Sequence, residues 1–354
     1  MIGEESELLS SKPLASLVPG RVRNKYLDLK VRKMGVIRDP RFRNISSPIT
    51  NDMLAPLGER CQIIQFCRSL REDEYKKLAE FLRSYPSITL RVYGNYDKKL
   101  DDLGFLRHFH FVKKFQVDVY DVKSFDDLSN LPVDLQYLGL GMTKSKAYSL
   151  RLLERFPDLE ELYIEGHRKD FDSVSGLTKL QKLTLRSITL PDLSVLTSLK
   201  ELWSLDIKLG GTKDLSHLPE IGQLKYIELW MIRGLSNIQS ISDVSSLQFL
   251  FLQALRRVEE LPSFRMLHKL RRLHIETLKG LVDISPIVAA PALKELLVLG
   301  TPQLKPEEFR CLVGHPTLET ATISLGSINR NEAANRIVGL PRTPYGKDDE
   351  FDFQ

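Results

Sequence analysis

Apolar residues in the later two thirds of the chain recur in one short pattern, L-x-x-L-x-L with close variants. It runs Leu159-Glu-Glu-Leu162-Tyr-Ile164, Leu180-Gln-Lys-Leu183-Thr-Leu185, Leu202-Trp-Ser-Leu205-Asp-Ile207 and Leu224-Lys-Tyr-Ile227-Glu-Leu229. It continues as Leu247-Gln-Phe-Leu250-Phe-Leu252, Leu270-Arg-Arg-Leu273-His-Ile275 and Leu293-Lys-Glu-Leu296-Leu-Val298. The fourth position falls at 162, 183, 205, 227, 250, 273 and 296, a period of 21 to 23 residues. Weaker copies lie at Ile88 to Val92, Phe115 to Val119, Leu135 to Leu140 and Leu318 to Ile323. Alternation of period two predicts a short strand with one face inward. A unit this small cannot bury its leucines alone, but parallel stacking of units encloses them in one core. Apolar residues between the motifs, such as Leu193, Val195, Leu196 and Leu199, or Ile284, Ile287, Val288 and Leu293, line the far side of that core. The predicted class is α/β, a repeat solenoid with a curved parallel sheet.

Over roughly residues 87–325 the chain resembles the leucine-rich-repeat family, closest to its short internalin-like bacterial type. Asp192-Leu-Ser-Val-Leu-Thr-Ser-Leu199-Lys-Glu-Leu202 and Asp283-Ile-Ser-Pro-Ile287 carry the resemblance most clearly. The family usually places an Asn after the strand to bond exposed backbone in the bend. Here Ile232, Leu255 and Leu278 occupy that region, so backbone or water must satisfy the bend instead. By fold analogy the resemblance implies a non-catalytic scaffold that holds a protein partner, such as an immunity or inhibitor protein.

The ends depart from the repeat. Ile63 to Phe66 predicts a strand. Glu72 to Tyr85 predicts an amphipathic helix, with Tyr75, Leu78, Phe81, Leu82 and Tyr85 on one face and Pro86 ending it. A second helix is expected over Ser145 to Arg155, before Pro157. Early units therefore carry convex helices, and later ones short turns. A C-terminal cap is expected at 326–340, with Asn331 capping a helix that holds Ala334, Ile337 and Val338. The chain divides into a basic segment or cap (1–59), the solenoid with its cap (60–340) and an acidic tail (341–354). The tail, ending Lys347-Asp-Asp-Glu-Phe-Asp-Phe-Gln354, reads as a frayed end or as a docking element for basic groups.

Charge changes this picture only at the N-terminus. Residues 12–43 hold ten Lys and Arg against two Asp, within a whole-chain net charge of +5. They alternate with apolar residues, which suits a small cap with a solvated basic face; contact with nucleic acid or another anionic surface is the alternative. No stretch is long and apolar enough to span a bilayer, the first residues are acidic, and Cys61, Cys67 and Cys311 form no CxxC pair. A cytoplasmic protein without membrane contact is expected.

Candidate chemistry is sparse. His108-Phe-His110 could set two imidazoles on one strand face, but no third ligand is near. Gly139-Leu-Gly141-Met-Thr-Lys144-Ser145 has the wrong spacing for a phosphate loop, and Asp118, Asp121, Asp126 and Asp127 do not match a calcium loop. No catalytic motif, metal site or cofactor is expected. The strand register instead names an outward face. Its earlier strands are charged, but Tyr226, Trp230, Phe249 and Phe251 lie together on adjacent strands, with Arg272 and His274 beside them and Tyr163 further back. Aromatics and Arg are enriched at binding hot spots, so these seven residues are the expected partner-binding set on the concave face. A cap, the tail or a second copy covering the patch is the competing expectation.

Overall fold

The structure, a computed structural model, describes residues 39–94, 100–343 and 351–354. Most of the basic segment, 12–38, lies outside the described residues. The chain forms two compact units, 1–148 and 149–354.

In the first unit, β1 (Phe42–Asn44), β2 (Ile63–Phe66), β3 (Thr89–Gly94), β4 (Lys114–Val119) and β5 (Tyr137–Leu140) pair in parallel and in chain order. Helix α1 (Glu72–Arg83) starts where expected and stops two residues earlier. Glu74 anchors its N-terminus. Its carboxylate accepts the Arg71 N–H at 2.9 Å and, from across the chain, the Ile49 N–H at 3.0 Å. Burial pushes the Glu74 pKa up, but these bonds outweigh it and hold the group at about 2. Tyr75 from α1 packs with Phe66 and Phe105, at ring separations of 5.9 and 5.2 Å.

In the second unit the repeat motif becomes the sheet. Its strands are β6 (Glu161–Glu165), β7 (Lys182–Arg186), β8 (Ser204–Lys208), β9 (Tyr226–Trp230), β10 (Phe249–Gln253), β11 (Arg272–Glu276), β12 (Glu295–Leu299) and β13 (Thr320–Ser324). All pair in parallel, and the fourth motif positions align across them: Leu162, Leu183, Leu205, Ile227, Leu250, Leu273, Leu296 and Ala321. Every one is buried. Full burial of one such leucine contributes roughly 1.5–3 kcal/mol, and the register repeats that gain at every unit.

The return segments are short 3-10 turns, such as Ser194–Leu196 and Ser285–Ala289. Several open on an Asp or Asn whose side chain accepts the N–H two residues on: Asp192 from Ser194, Asp214 from Ser216, Asn237 from Gln239 and Asp283 from Ser285. The helix expected over Ser145 to Arg155 is a 3-10 turn, Leu150–Arg155. It starts on Ser149, whose hydroxyl accepts the Arg151 N–H.

The bend after each strand is satisfied by backbone. Gly166, Ser187, Leu209, Met231, Ala254, Thr277 and Gly300 each follow a strand directly and have φ between 50° and 76°. This left-handed step aims each N–H at the last carbonyl of the next strand. Leu209 donates to Trp230, Met231 to Gln253 and Ala254 to Glu276, at 2.8–2.9 Å. Seven turns repeated this way replace the missing Asn.

Helix α2 (Ile328–Val338) closes the far end. Its cap is Ser327, not Asn331 as expected. Asn331 lies inside the helix and accepts the Leu325 N–H at 2.6 Å, tying the helix to the end of β13. The chain then turns back along the edge strand, where the Pro341 carbonyl accepts the Ala321 N–H at 2.9 Å. Thr343, buried, donates to the Leu296 carbonyl at 3.2 Å. The return covers backbone that an edge strand would otherwise expose.

Candidate functional site

The outward face of the first unit is a polar ladder. Gln65 donates to Asn44 at 2.9 Å, Arg91 to Gln65 at 2.9 Å and to Asp118 at 2.6 Å, and Tyr137 to Gln116 at 2.8 Å. The second unit differs, because its outward face carries bulky groups that bury one another.

On β6–β9 these groups are charged. Arg186 pairs with Glu165 at 3.1 Å, and the Tyr163 hydroxyl donates to the same carboxylate at 2.8 Å. Lys208, fully buried, lies 3.0 Å from Asp206 and 2.7 Å from Glu228. Burial works against the Lys208 charge, but the two carboxylates outweigh it and raise its pKa. Burial raises the Glu228 pKa against the pull of Lys208. Register sets Arg186, Lys208 and Trp230 side by side, and Arg186 reaches the Trp230 ring at 5.3 Å across the strand that carries Lys208.

From the start of β8 to β11 the groups include aromatics, which split into two rows. Phe251 stacks flat on His274, with ring centroids 4.1 Å apart and planes 8° apart. Burial, with Arg272 nearby, lowers the His274 pKa to about 3, so this imidazole is neutral at physiological pH. The other row is Trp203, Tyr226 and Phe249, at the start of the strands. It is occupied by the C-terminal segment of the same chain. Phe351 packs on Phe249 at 5.3 Å, and Phe353 packs on Trp203 at 5.1 Å and Tyr226 at 6.1 Å. Arg271 and Arg272 lie 4.7 and 5.2 Å from the Phe351 ring.

An open patch of four aromatics is therefore not what forms. Phe249 has no exposed surface and Tyr226 about 9%, because Phe351 and Phe353 sit on them. Tyr163 and His274 are buried within the face, and Arg272 is buried while pairing with Glu295. Of the seven expected residues, Trp230 and Phe251 stay half-exposed. The reading of 341–354 as a frayed end fails at 351–354, which is docked. Trp203, Gln248 and Arg271 were not expected at all. Each precedes its strand by one residue, outside the alternating positions, but they share one row, Gln248 two repeats after Trp203 and Arg271 one repeat after that, which register alone could have named.

Motif spacing, strand order and register now stand together. This is a leucine-rich-repeat fold. No protein-family model matches the chain, and no curated protein matches it. Among solved structures it is similar to an internalin (inlF) of Listeria monocytogenes, at 19% identity over 75% of this chain and 89% of that one, with a TM-score of 0.45. It is similar to a leucine-rich-repeat protein of Leptospira interrogans, at 13% identity over 73% and 82%, with a TM-score of 0.39. A third is TLR13 in a complex with ssRNA13, at 19% identity over 77% of this chain and 44% of that one, with a TM-score of 0.46.

Outside the leucine-rich-repeat face, the other candidates are used locally. His108 ends a 3-10 turn rather than lying on a strand, and its Nε2 meets Glu72 at 2.7 Å. Arg41 pairs with Asp39 at 2.8 Å, and Arg43 donates to the carbonyls of Asp52, Met53 and Ala55. Among the described residues, no group of three or more His, Cys, Asp or Glu could hold a metal ion. No helix among them is long and apolar enough to cross a membrane.

Proposed function

We propose that this chain is a non-catalytic protein-binding scaffold whose partner docks on the outward face of β8–β11. The observation that carries the reading is the pair of half-exposed aromatics, Phe251 and Trp230, each packed against a neighbour on the same face, His274 or Arg186. Such rings are already ordered before association, so binding them costs little conformational entropy. Glu276, half-buried at the end of β11 in the same row as Trp230, supplies charge beside them, which favours specificity more than affinity. An immunity or inhibitor role fits such a scaffold by analogy.

The test uses Phe251→Ala and Trp230→Ala, since Phe249 is covered. Protein retained by the wild-type chain from native lysate is identified by mass spectrometry, and its affinity is then measured against both variants. Each truncation is expected to weaken binding at least tenfold, with circular dichroism unchanged. Undiminished binding by the double variant overturns the proposal. The nucleic-acid alternative through 12–43 gains nothing from Arg41 and Arg43, whose guanidiniums already serve local contacts.

A further inference from the structure

Phe351–Gln354 is held in the way a bound peptide is held. Gln248, 3% exposed, sets its side-chain amide against the main chain of Gln354. Its Nε2 donates to a main-chain oxygen of Gln354 at 2.6 Å, and its Oε1 accepts the Gln354 N–H at 3.0 Å. Arg271 donates to the same Oε1 at 3.0 Å, which fixes the orientation of the amide, and it also donates to the main-chain carbonyl of Asp352. These contacts engage backbone and are blind to sequence.

Side chains are selected separately. Phe351 and Phe353, two residues apart, turn to the same side, as alternate residues of an extended segment do. Each has its own aromatic socket, Phe249 for one and Trp203 with Tyr226 for the other. Asp352 between them is exposed. Cations stand at both ends of the shelf, with Lys182 5.4 Å from the Trp203 ring and the two arginines over Phe351. Backbone pairing combined with alternate side-chain sockets is a general mode of peptide capture, and the cations favour an acidic peptide.

We propose that the shelf of Trp203, Tyr226, Phe249, Gln248, Arg271 and Arg272 is a binding site for an aromatic–acidic–aromatic peptide segment. The chain's own Phe351–Gln354 occupies it in cis, and a partner segment of the same chemistry enters by displacing it. This rests on the scaffold reading and gives the partner a chemical signature. A tethered occupant acts at an effective concentration on the order of 1 mM. If its own affinity is on the order of 0.1 mM, it raises the apparent Kd of a competitor roughly tenfold.

The probe is a labelled synthetic peptide of residues 347–354, followed by fluorescence anisotropy against the full chain. A Phe351→Ala/Phe353→Ala variant should bind it at least tenfold more tightly than the wild type. Adding Gln248→Ala or Trp203→Ala to that variant should abolish binding, as should replacing both phenylalanines in the peptide. No binding to the double variant overturns the proposal, and so does binding that ignores Gln248 and Trp203. Should the double variant unfold, hydrogen exchange on the wild-type chain decides: saturating peptide must strip protection from the Gln354 amide, and retained protection rejects the idea. No partner protein enters this experiment, so a negative result leaves the Phe251 and Trp230 test standing.

Discussion

Arg186 and Trp230 meet two strands apart, with the guanidinium carbon 5.3 Å from the ring, across the strand that carries Lys208. The pair closes over an ammonium that has no exposed surface, held between Asp206 and Glu228. Lys208→Met removes that charge and leaves two carboxylates buried together. Stability should fall by about 3–5 kcal/mol, the usual cost of breaking a buried ion pair from one side. Adding Asp206→Asn and Glu228→Gln should recover most of the loss, because the three groups together are no stronger than well-packed neutral ones. Urea unfolding of the single and triple variants checks both steps; a single variant as stable as wild type would show that Lys208 is not the counter-ion.

Met231 is 46% exposed and held at φ 50°, directly after β9. A side chain in the left-handed region costs about 1–2 kcal/mol, and glycine removes that cost while adding about 0.4–1 kcal/mol of unfolded-state entropy. Met231→Gly should therefore stabilise the chain slightly, by up to about 1 kcal/mol, with its N–H still bonded to Gln253. A rise in Tm of a degree or two in calorimetry is the expected result.

Gly210 behaves oppositely. A Cβ there would lie 2.0 Å from the Ile188 carbonyl oxygen, which is backbone and cannot swing aside. Gly210→Ala should destabilise by about 1–3 kcal/mol through overpacking, visible as a lower urea midpoint with an unchanged slope.

Much of this was legible in the chain. The eight strands of the second unit follow from leucine spacing, because period-two alternation and a fixed repeat leave one register that buries Leu162 through Leu296. The bends were not legible. Ser187, Leu209, Met231, Ala254 and Thr277 show no glycine or asparagine signal, since the left-handed step is imposed by the next strand's carbonyl. Strand β1 at Phe42–Asn44 is three residues long and offers no pattern. The covering of Phe249 and Tyr226 is a contact between residues about a hundred positions apart, as between Gln248 and Gln354, and no local rule reaches that far. Alternation also assigns Lys208 and His274 to the outward face correctly but is silent on how large neighbours bury them there.

His274 makes the outward face acid-sensitive. Folded, it titrates at about 3, because burial and then Arg272 disfavour the imidazolium; the ordinary value is 6.5. Between those limits the unfolded chain holds the extra proton, so acid favours unfolding, and the effect grows as pH falls from about 6.5 toward about 3. The slope is about 1.4 kcal/mol per pH unit for one fully displaced proton. Glu74, held at about 2, adds its own loss only below about 4.5, so the interval from pH 6.5 to 5 isolates the histidine from it. His274→Gln cannot titrate. Its stability should change less than that of the wild type between pH 7 and pH 5, by about 1–2 kcal/mol in urea unfolding. Parallel curves for the two proteins over that interval would mean that His274 protonates in place, with Phe251 still stacked on it.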